Sequence, residues 1–145
     1  MNFWDSSAIL PLLVRESNSE ATRVYLDSHP ELALWWATPV ECVSALARKE
    51  REGKLNLSQM IAAQKNLDLI VESSVRVDPT DRVRGLAQKL LRRYPLRAAD
   101  SLQLAAASVL AGEATQDYGF ICNDSRLTLA ASKEGFEVVA FEAID

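Results

Sequence analysis

The chain has 145 residues, 48% hydrophobic and 25% charged, with a formal net charge of −4 and a pI near 5.1. That is enough chain for one domain with a real core and too little for two ordinary ones, so a single domain over residues 1–145 is expected. No apolar run approaches the ~18 residues a membrane span needs, and the acidic balance speaks against a surface wholly given over to nucleic acid. The segment Met1-Asn2-Phe3-Trp4-Asp5 has no basic region and meets an acid at once, which does not read as a secretory signal and predicts a cytoplasmic protein.

Along the chain, short apolar runs alternate with longer amphipathic segments, the pattern of an α/β domain with a largely parallel sheet. Strands are predicted at Asn2–Trp4, Leu32–Ala37, Ser74–Val77, Phe120–Cys122 and Glu137–Phe141. Helices are predicted at about 6–14, 19–28, 39–52, 57–72, 79–93, 98–111 and 125–134. In the third helix Val40, Val43, Ala45, Leu46 and Ala47 gather on one side, Arg48 to Glu52 form a solvated end, and Gly53 stops it. In the sixth, Ala98, Leu102, Ala105, Ala106, Val109 and Leu110 share a face and Gly112 is the stop. Its run of alanines leaves room for close packing and predicts a central helix.

Cys42 and Cys122 are the only cysteines and read as buried small hydrophobes. His29, the single histidine, lies in a predicted turn before Pro30, which leaves no multi-histidine zinc chemistry.

Four acids occupy equivalent places. Asp5 follows the first strand and opens a helix; Glu41, in Thr38-Pro39-Val40-Glu41, lies in the first turn after the second strand. Asp100 lies in the first turn after Pro95, and Asp124 closes the fourth strand and opens the last helix. Each has a plain local explanation, because acids cap helix N-termini and meet the positive end of the helix dipole. Thr38 to Glu41 reads as a capping box, with Thr at the N-cap, Pro at N1 and Glu at N3. In a doubly wound parallel sheet, however, all four reach the one edge where ligands bind. Carboxylates gathered there repel unless a cation neutralises them. A set of oxygens without His or Cys suits a hard ion, Mg²⁺ or Mn²⁺, which is a tool for phosphoryl transfer. With four acids set aside for the ion, 16 acids face 16 Lys and Arg, a neutral remainder.

Phe3-Trp4-Asp5-Ser6-Ser7-Ala8-Ile9, Thr38 to Leu46, Leu96 to Ala107 and Phe120 to Leu127 resemble, in order and spacing, the four acidic motifs of PIN-domain nucleases. The match runs over nearly the whole chain, and the length resembles the VapC toxins of type II toxin–antitoxin pairs. The resemblance implies a PIN-like three-layer sandwich, with a four- to five-stranded parallel sheet flanked by about seven helices. It implies a Mg²⁺-dependent endoribonuclease, with Mn²⁺ able to substitute, which cleaves RNA by a metal-activated water to leave a 5′-phosphate and a 3′-hydroxyl. Asp5 and Asp100 would be the principal ligands, with Glu41 and Asp124 acting directly or through water. Ser7 matches a small hydroxyl position able to orient a carboxylate or water, and Ser125 a supporting position beside Asp124. A VapB-like antitoxin and a homodimer are implied partners. Asn123 departs from the Thr or Arg of many relatives.

Arg97, with Arg92 and Arg93, flanks Asp100 and could contact phosphate; Arg48, Lys49, Arg51 and Lys54 read as an ordinary solvated helix end. Of Trp35-Trp36, one is expected in the core and the other on a packing or partner surface. Ile9 to Val14 is very apolar, so part should be core and the remainder a surface for a partner helix or second subunit. Two other readings stay open. One is a PIN nuclease of RNA processing rather than a toxin. The other is a phosphoacceptor module, against which stands the absence of a lysine in the tail Phe141-Glu142-Ala143-Ile144-Asp145.

Overall fold

A computed structural model describes residues 1–141; Glu142 to Asp145, most of the lysine-free tail, lie outside the described residues. The elements in chain order are β1 (Asn2–Trp4), α1 (Ser6–Leu13), α2 (Ser19–Ser28), β2 (Leu32–Trp35), α3 (Thr38–Arg51) and α4 (Leu57–Ser73). They continue with β3 (Val75–Val77), α5 (Asp81–Arg93), α6 (Ala98–Ala111), a 3₁₀ turn (Thr115–Asp117), β4 (Gly119–Ile121), α7 (Ser125–Lys133) and β5 (Glu137–Val139). The five strands form one sheet in the order β3-β2-β1-β4-β5, every neighbouring pair parallel. All five predicted strands and seven predicted helices are present, and the 3₁₀ turn is additional.

Alternation along the strands sends side chains to two separate cores. Phe3, Ala33, Trp35, Val77, Phe120 and Cys122 face one side, where Val83 and Leu90 of α5, Leu104 to Ala107 of α6 and Leu127 of α7 cover them. Trp4, Leu32, Leu34 and Ile121 face the other, under Ile9 and Leu12 of α1, Cys42 and Leu46 of α3, and Ala63 and Leu67 of α4. A parallel sheet covered on both faces explains why its strands read as continuous apolar runs. It is the expected three-layer α/β sandwich.

Several boundaries and faces differ from expectation, for local reasons. β2 ends at Trp35 because the chain turns at Trp36, whose N–H still bonds Val77 O at 3.0 Å. α5 starts at Asp81, where the Thr80 hydroxyl caps Val83 N–H at 3.3 Å. In α3 the buried residues are Thr38, Cys42 and Leu46, so its inner face is turned away from Val40, which is exposed. α6 is central as expected, with Ser101 and Gln103 to Ala107 buried, while Ala98 lies on the surface. Gly53 (φ +76°) and Gly112 (φ +60°) sit where their helices stop, in conformations that side chains rarely adopt.

The expected division of the two tryptophans holds, Trp35 in the core and Trp36 52% exposed. The open remainder expected of helix α1 is corrected. Ile9, Pro11, Leu12 and Leu13 are buried, and Leu10 and Val14 pack half-buried against the same core, because α1 is wedged against both α3 and α4.

Phe120 stacks on Phe3 (5.6 Å between ring centres) and tilts against Phe136 at 5.6 Å, tying the two central strands to β5's approach. Phe120→Ala is therefore expected to cost about 3–5 kcal/mol in urea unfolding, and a loss below about 1 kcal/mol would contradict this packing.

Candidate active site

In strand order 3-2-1-4-5 the winding reverses between β1 and β4, so the carboxyl ends of these two strands open a crevice. Asp5 follows β1 and Asp124 follows β4 by three residues. The Asp5 N–H bonds Ile121 O at 2.9 Å, which locks the first acid to the end of the neighbouring strand.

Asp5 is 3% exposed and is the N-cap of α1. Its Oδ2 accepts from the Ser7 N–H (3.1 Å), the Ser7 hydroxyl (2.6 Å) and the Cys122 thiol (3.5 Å). Ser7 thus bonds the carboxylate through both its N–H and its hydroxyl, and its hydroxyl also accepts the Asn123 N–H at 2.9 Å. Pro11 has a part in this. It has no N–H for the Ser7 carbonyl one turn earlier, and Asn123 Nδ2 donates to that carbonyl instead, at 3.2 Å. Asn123 Oδ1 then accepts Phe141 N–H at 2.7 Å, while Asn18 Nδ2 donates to Phe141 O at 2.7 Å. The departure at position 123 is therefore a strut between α1, the end of β4 and the chain beyond β5.

Glu41 overturns the capping-box reading. α3 begins at Thr38, its N-cap is Ala37 and no side chain caps it. Thr38 is buried and accepts from Gln103 Nε2 at 3.0 Å. The Glu41 carboxylate turns away from its own helix end, accepting from Gln103 Nε2 (2.9 Å) and the Ser6 hydroxyl (3.3 Å). Asp124, by contrast, is a true cap: its Oδ1 takes Arg126 and Leu127 N–H, both at 3.0 Å. Oδ2 has no donor among the described residues. The Asp124 N–H rests on Cys122 Sγ at 3.3 Å. Asp100 is half-buried in the first turn of α6.

Electrostatics shows that the acids share one field. Burial raises the Asp5 carboxyl above the usual carboxylate range, against the bonds from Ser7 and Cys122. Burial, then the Asp5 charge, pushes Glu41 up to about 7, with Asp100 adding to it and Gln103 and Ser6 opposing. Asp100 is raised by burial and by the charges of Asp124 and Asp5, opposed by Arg97. Four separate segments therefore bring negative charge into one crevice.

Among the described residues, no three of His, Cys, Asp or Glu gather closely enough to cage a metal ion by themselves. The donor set still fits Mg²⁺ or Mn²⁺. It offers oxygen atoms from carboxylates whose mutual repulsion a cation relieves, and Mg²⁺ keeps several waters and takes only one or two protein carboxylates. Cys122, whose thiol is itself pushed up by burial and by Asp5, serves the site as a bonded, uncharged neighbour.

Arg97 is the exposed N-cap of α6, next to Asp100. Ser125 is exposed at the first position of α7, and its hydroxyl bonds none of the acids. Arg93 is committed to Glu134, at 2.8 and 3.0 Å, and Glu134 also accepts from Tyr94. Lys49 and Lys54 pair with Glu16 and Glu52, as expected of a solvated helix end. Sequence reasoning missed Ser6, Thr38, Gln103 and Cys122 as parts of this site. Gln103 left a signal, an amide within the small apolar run Leu102 to Ala107.

The PIN domain family model matches residues 3–131. The chain is 36% identical over 140 residues to Ribonuclease VapC46 of Mycobacterium tuberculosis, covering 95% of each. Among solved structures it is similar to a toxin–antitoxin complex from Klebsiella pneumoniae (TM-score 0.67, 14% identity, 99% of this chain and 100% of that one). It is also similar to FitAcB from Neisseria gonorrhoeae (TM-score 0.63, 21% identity, 98% and 97%). At these identities the two structural likenesses bear on the fold.

A carboxyl whose folded pKa is raised binds its proton more tightly when folded, so the stability it contributes is present at low pH and lost as pH rises through the folded value. For Glu41 that window runs from 4.5 to about 7, and Asp5 and Asp100 act in the same direction. In chelator, the unfolding temperature should be lower at about pH 8 than at about pH 5.5, and Glu41→Gln should narrow the difference. A flat or rising profile would count against the cluster.

Proposed function

Because the chain belongs to the PIN domain family, we propose that it is a divalent-cation-dependent endoribonuclease and the toxin of a VapBC-type pair. One PIN domain over residues 1–145 carries the activity. The observation that supports this best is the convergence of Asp5, Glu41, Asp100 and Asp124, from four chain segments, the Asp5 charge acting on Glu41 and Asp100 and the Asp124 charge on Asp100. The relative named a ribonuclease matches along nearly the full length of both chains, which supports RNA as the substrate.

Asp5 and Asp100 are the principal ligands of Mg²⁺, for which Mn²⁺ can substitute, and Glu41 and Asp124 act directly or through water. The bound cation supplies a lowered pKa to water and a counter-charge to the phosphate. The chain's own residues do the rest. Ser7 and Cys122 hold the inner oxygen of Asp5 and so fix the direction of its carboxylate. The cap bonds of Asp124 occupy one oxygen and leave the other for the crevice. Arg97, at the rim beside Asp100, contacts a phosphate of the strand, and Ser125 supports the mouth of the site next to Asp124. Outside the four acids, 16 acidic residues balance 16 Lys and Arg in the sequence, so the net charge of the remainder does not repel an RNA backbone. A VapB-like antitoxin covers the site, and the toxin acts as a homodimer. Among the described residues no helix is long and apolar enough to cross a membrane, and a cytoplasmic location follows from the proposed substrate.

Purified protein is expected to cut RNA with Mg²⁺ or Mn²⁺, to stop in chelator, and to lose more than about 100-fold in rate in Asp5→Asn or Asp100→Asn, beyond what loss of a supporting bond costs. Cleavage that survives both chelator and the two substitutions would sink the proposal.

A further inference from the structure

Gln103 lies three residues after Asp100, on the same face of α6, and its side chain is fully buried against the start of α3. Both bonds of its Nε2 go to α3, one to Thr38 Oγ1 at 3.0 Å and one to Glu41 Oε2 at 2.9 Å. The amide therefore spans two residues one helical turn apart, the second of them a member of the acidic quartet. The other Glu41 oxygen, Oε1, takes the Ser6 hydroxyl at 3.3 Å. Glu41 is thus held at one end from the helix that carries Asp100 and at the other from the helix that follows Asp5.

The remaining end of the amide supplies the second observation. Gln103 Oε1 is buried and has no hydrogen-bond partner among the described residues. Unpaired buried acceptors are uncommon and call for a reason. In a helix whose neighbours are Leu104, Ala105, Ala106 and Ala107, all buried, an apolar side chain of the same length would fill this space without an orphaned oxygen. The amide is tolerated for what its nitrogen does. A carboxylate on three rotatable bonds, freed from that nitrogen, would be drawn toward water and away from Asp5.

We propose that Gln103 is a positioning residue of the cation site: its buried amide nitrogen, anchored on Thr38, clamps Glu41 so that Glu41 Oε1 faces the Asp5 side of the crevice. It touches neither RNA nor cation and acts through Glu41 alone. The proposal rests on the divalent-cation reading above.

The test is Mn²⁺ binding by titration calorimetry on the purified full chain without RNA, with thermal unfolding of each variant recorded alongside. Gln103→Met keeps the length of the side chain and removes both bonds. It should weaken Mn²⁺ binding about tenfold, as loss of a ligand-orienting bond does, with no fall in unfolding temperature. In a Glu41→Ala background the same substitution should change binding less than about twofold, because the group it acts through is gone. Thr38→Val, which removes the amide's second anchor, should weaken binding in the same direction and keeps the question open to measurement should Gln103→Met fold poorly. Unchanged affinity in folded Gln103→Met and in Thr38→Val, or an equal further loss in the Glu41→Ala background, overturns the role of Gln103 and leaves the cation site standing. Wild-type protein that binds no Mn²⁺ removes the cation site itself, and this proposal with it.

Discussion

Carboxylates held together out of water repel one another, and the fold gathers four of them at one edge of a parallel sheet. Asp5 is buried and Glu41 and Asp100 are partly so; the Asp5 charge raises the affinity of both for protons, with Asp100 adding to Glu41 and Asp124 to Asp100. The architecture both creates this conflict and moderates it. The acids stand at the beginnings of α1, α3, α6 and α7, whose positive dipole ends point to the same edge. Capping and cation binding are therefore not rival explanations for Asp5 and Asp124. The Ser7 N–H that makes Asp5 a capped acid opposes the rise that burial causes, and the cap bonds of Asp124 use one of its oxygens, with the repulsion among the acids left for a cation to relieve.

Around that edge the chain is braced by unlike means. Pro11 frees the Ser7 carbonyl, Asn123 takes it, and Asn123 with Asn18 holds the backbone of Phe141 from both sides. Ser7 and Cys122 hold one oxygen of Asp5; Gln103 and Ser6 hold Glu41. Apart from the local bonds of Ser7 to Asp5, these bonds join segments that are far apart in sequence, so the geometry of the site depends on the two cores that bring the sheet and helices together. Helix α6 is the hub. Its alanines let it lie close to the sheet, and it carries both Asp100 and Gln103.

The same distinction explains what could be read from the residues alone. Strands and helices were legible because burial on both sheet faces leaves apolar runs, and because Gly53 and Gly112 mark helix ends in the chain itself. The acids were legible because they stand at strand ends and helix starts, and because four motifs recur in family order. The capping box at Thr38 was misread for a physical reason. Local spacing says that Thr38 and Glu41 can serve their own helix, but a buried amide sixty-odd positions later competes for both, and no local pattern reports it. The apolar stretch of α1 was read as partly free for a similar reason, since only the arrival of α3 and α4 covers it. Trp35 and Trp36 were separated correctly in kind, because β2 is covered on both faces up to Trp35 and the chain turns away from the sheet at Trp36.

The central claim is that these acids form one cation site, and locating an ion tests it most directly. In crystals grown or soaked with Mn²⁺, the anomalous difference map should show a peak within about 2.2 Å of carboxylate oxygens of Asp5 and Asp100, with waters completing the shell and Glu41 and Asp124 beside it. A map with no peak in that crevice at saturating Mn²⁺, or with Mn²⁺ bound only elsewhere on the surface, would contradict the account.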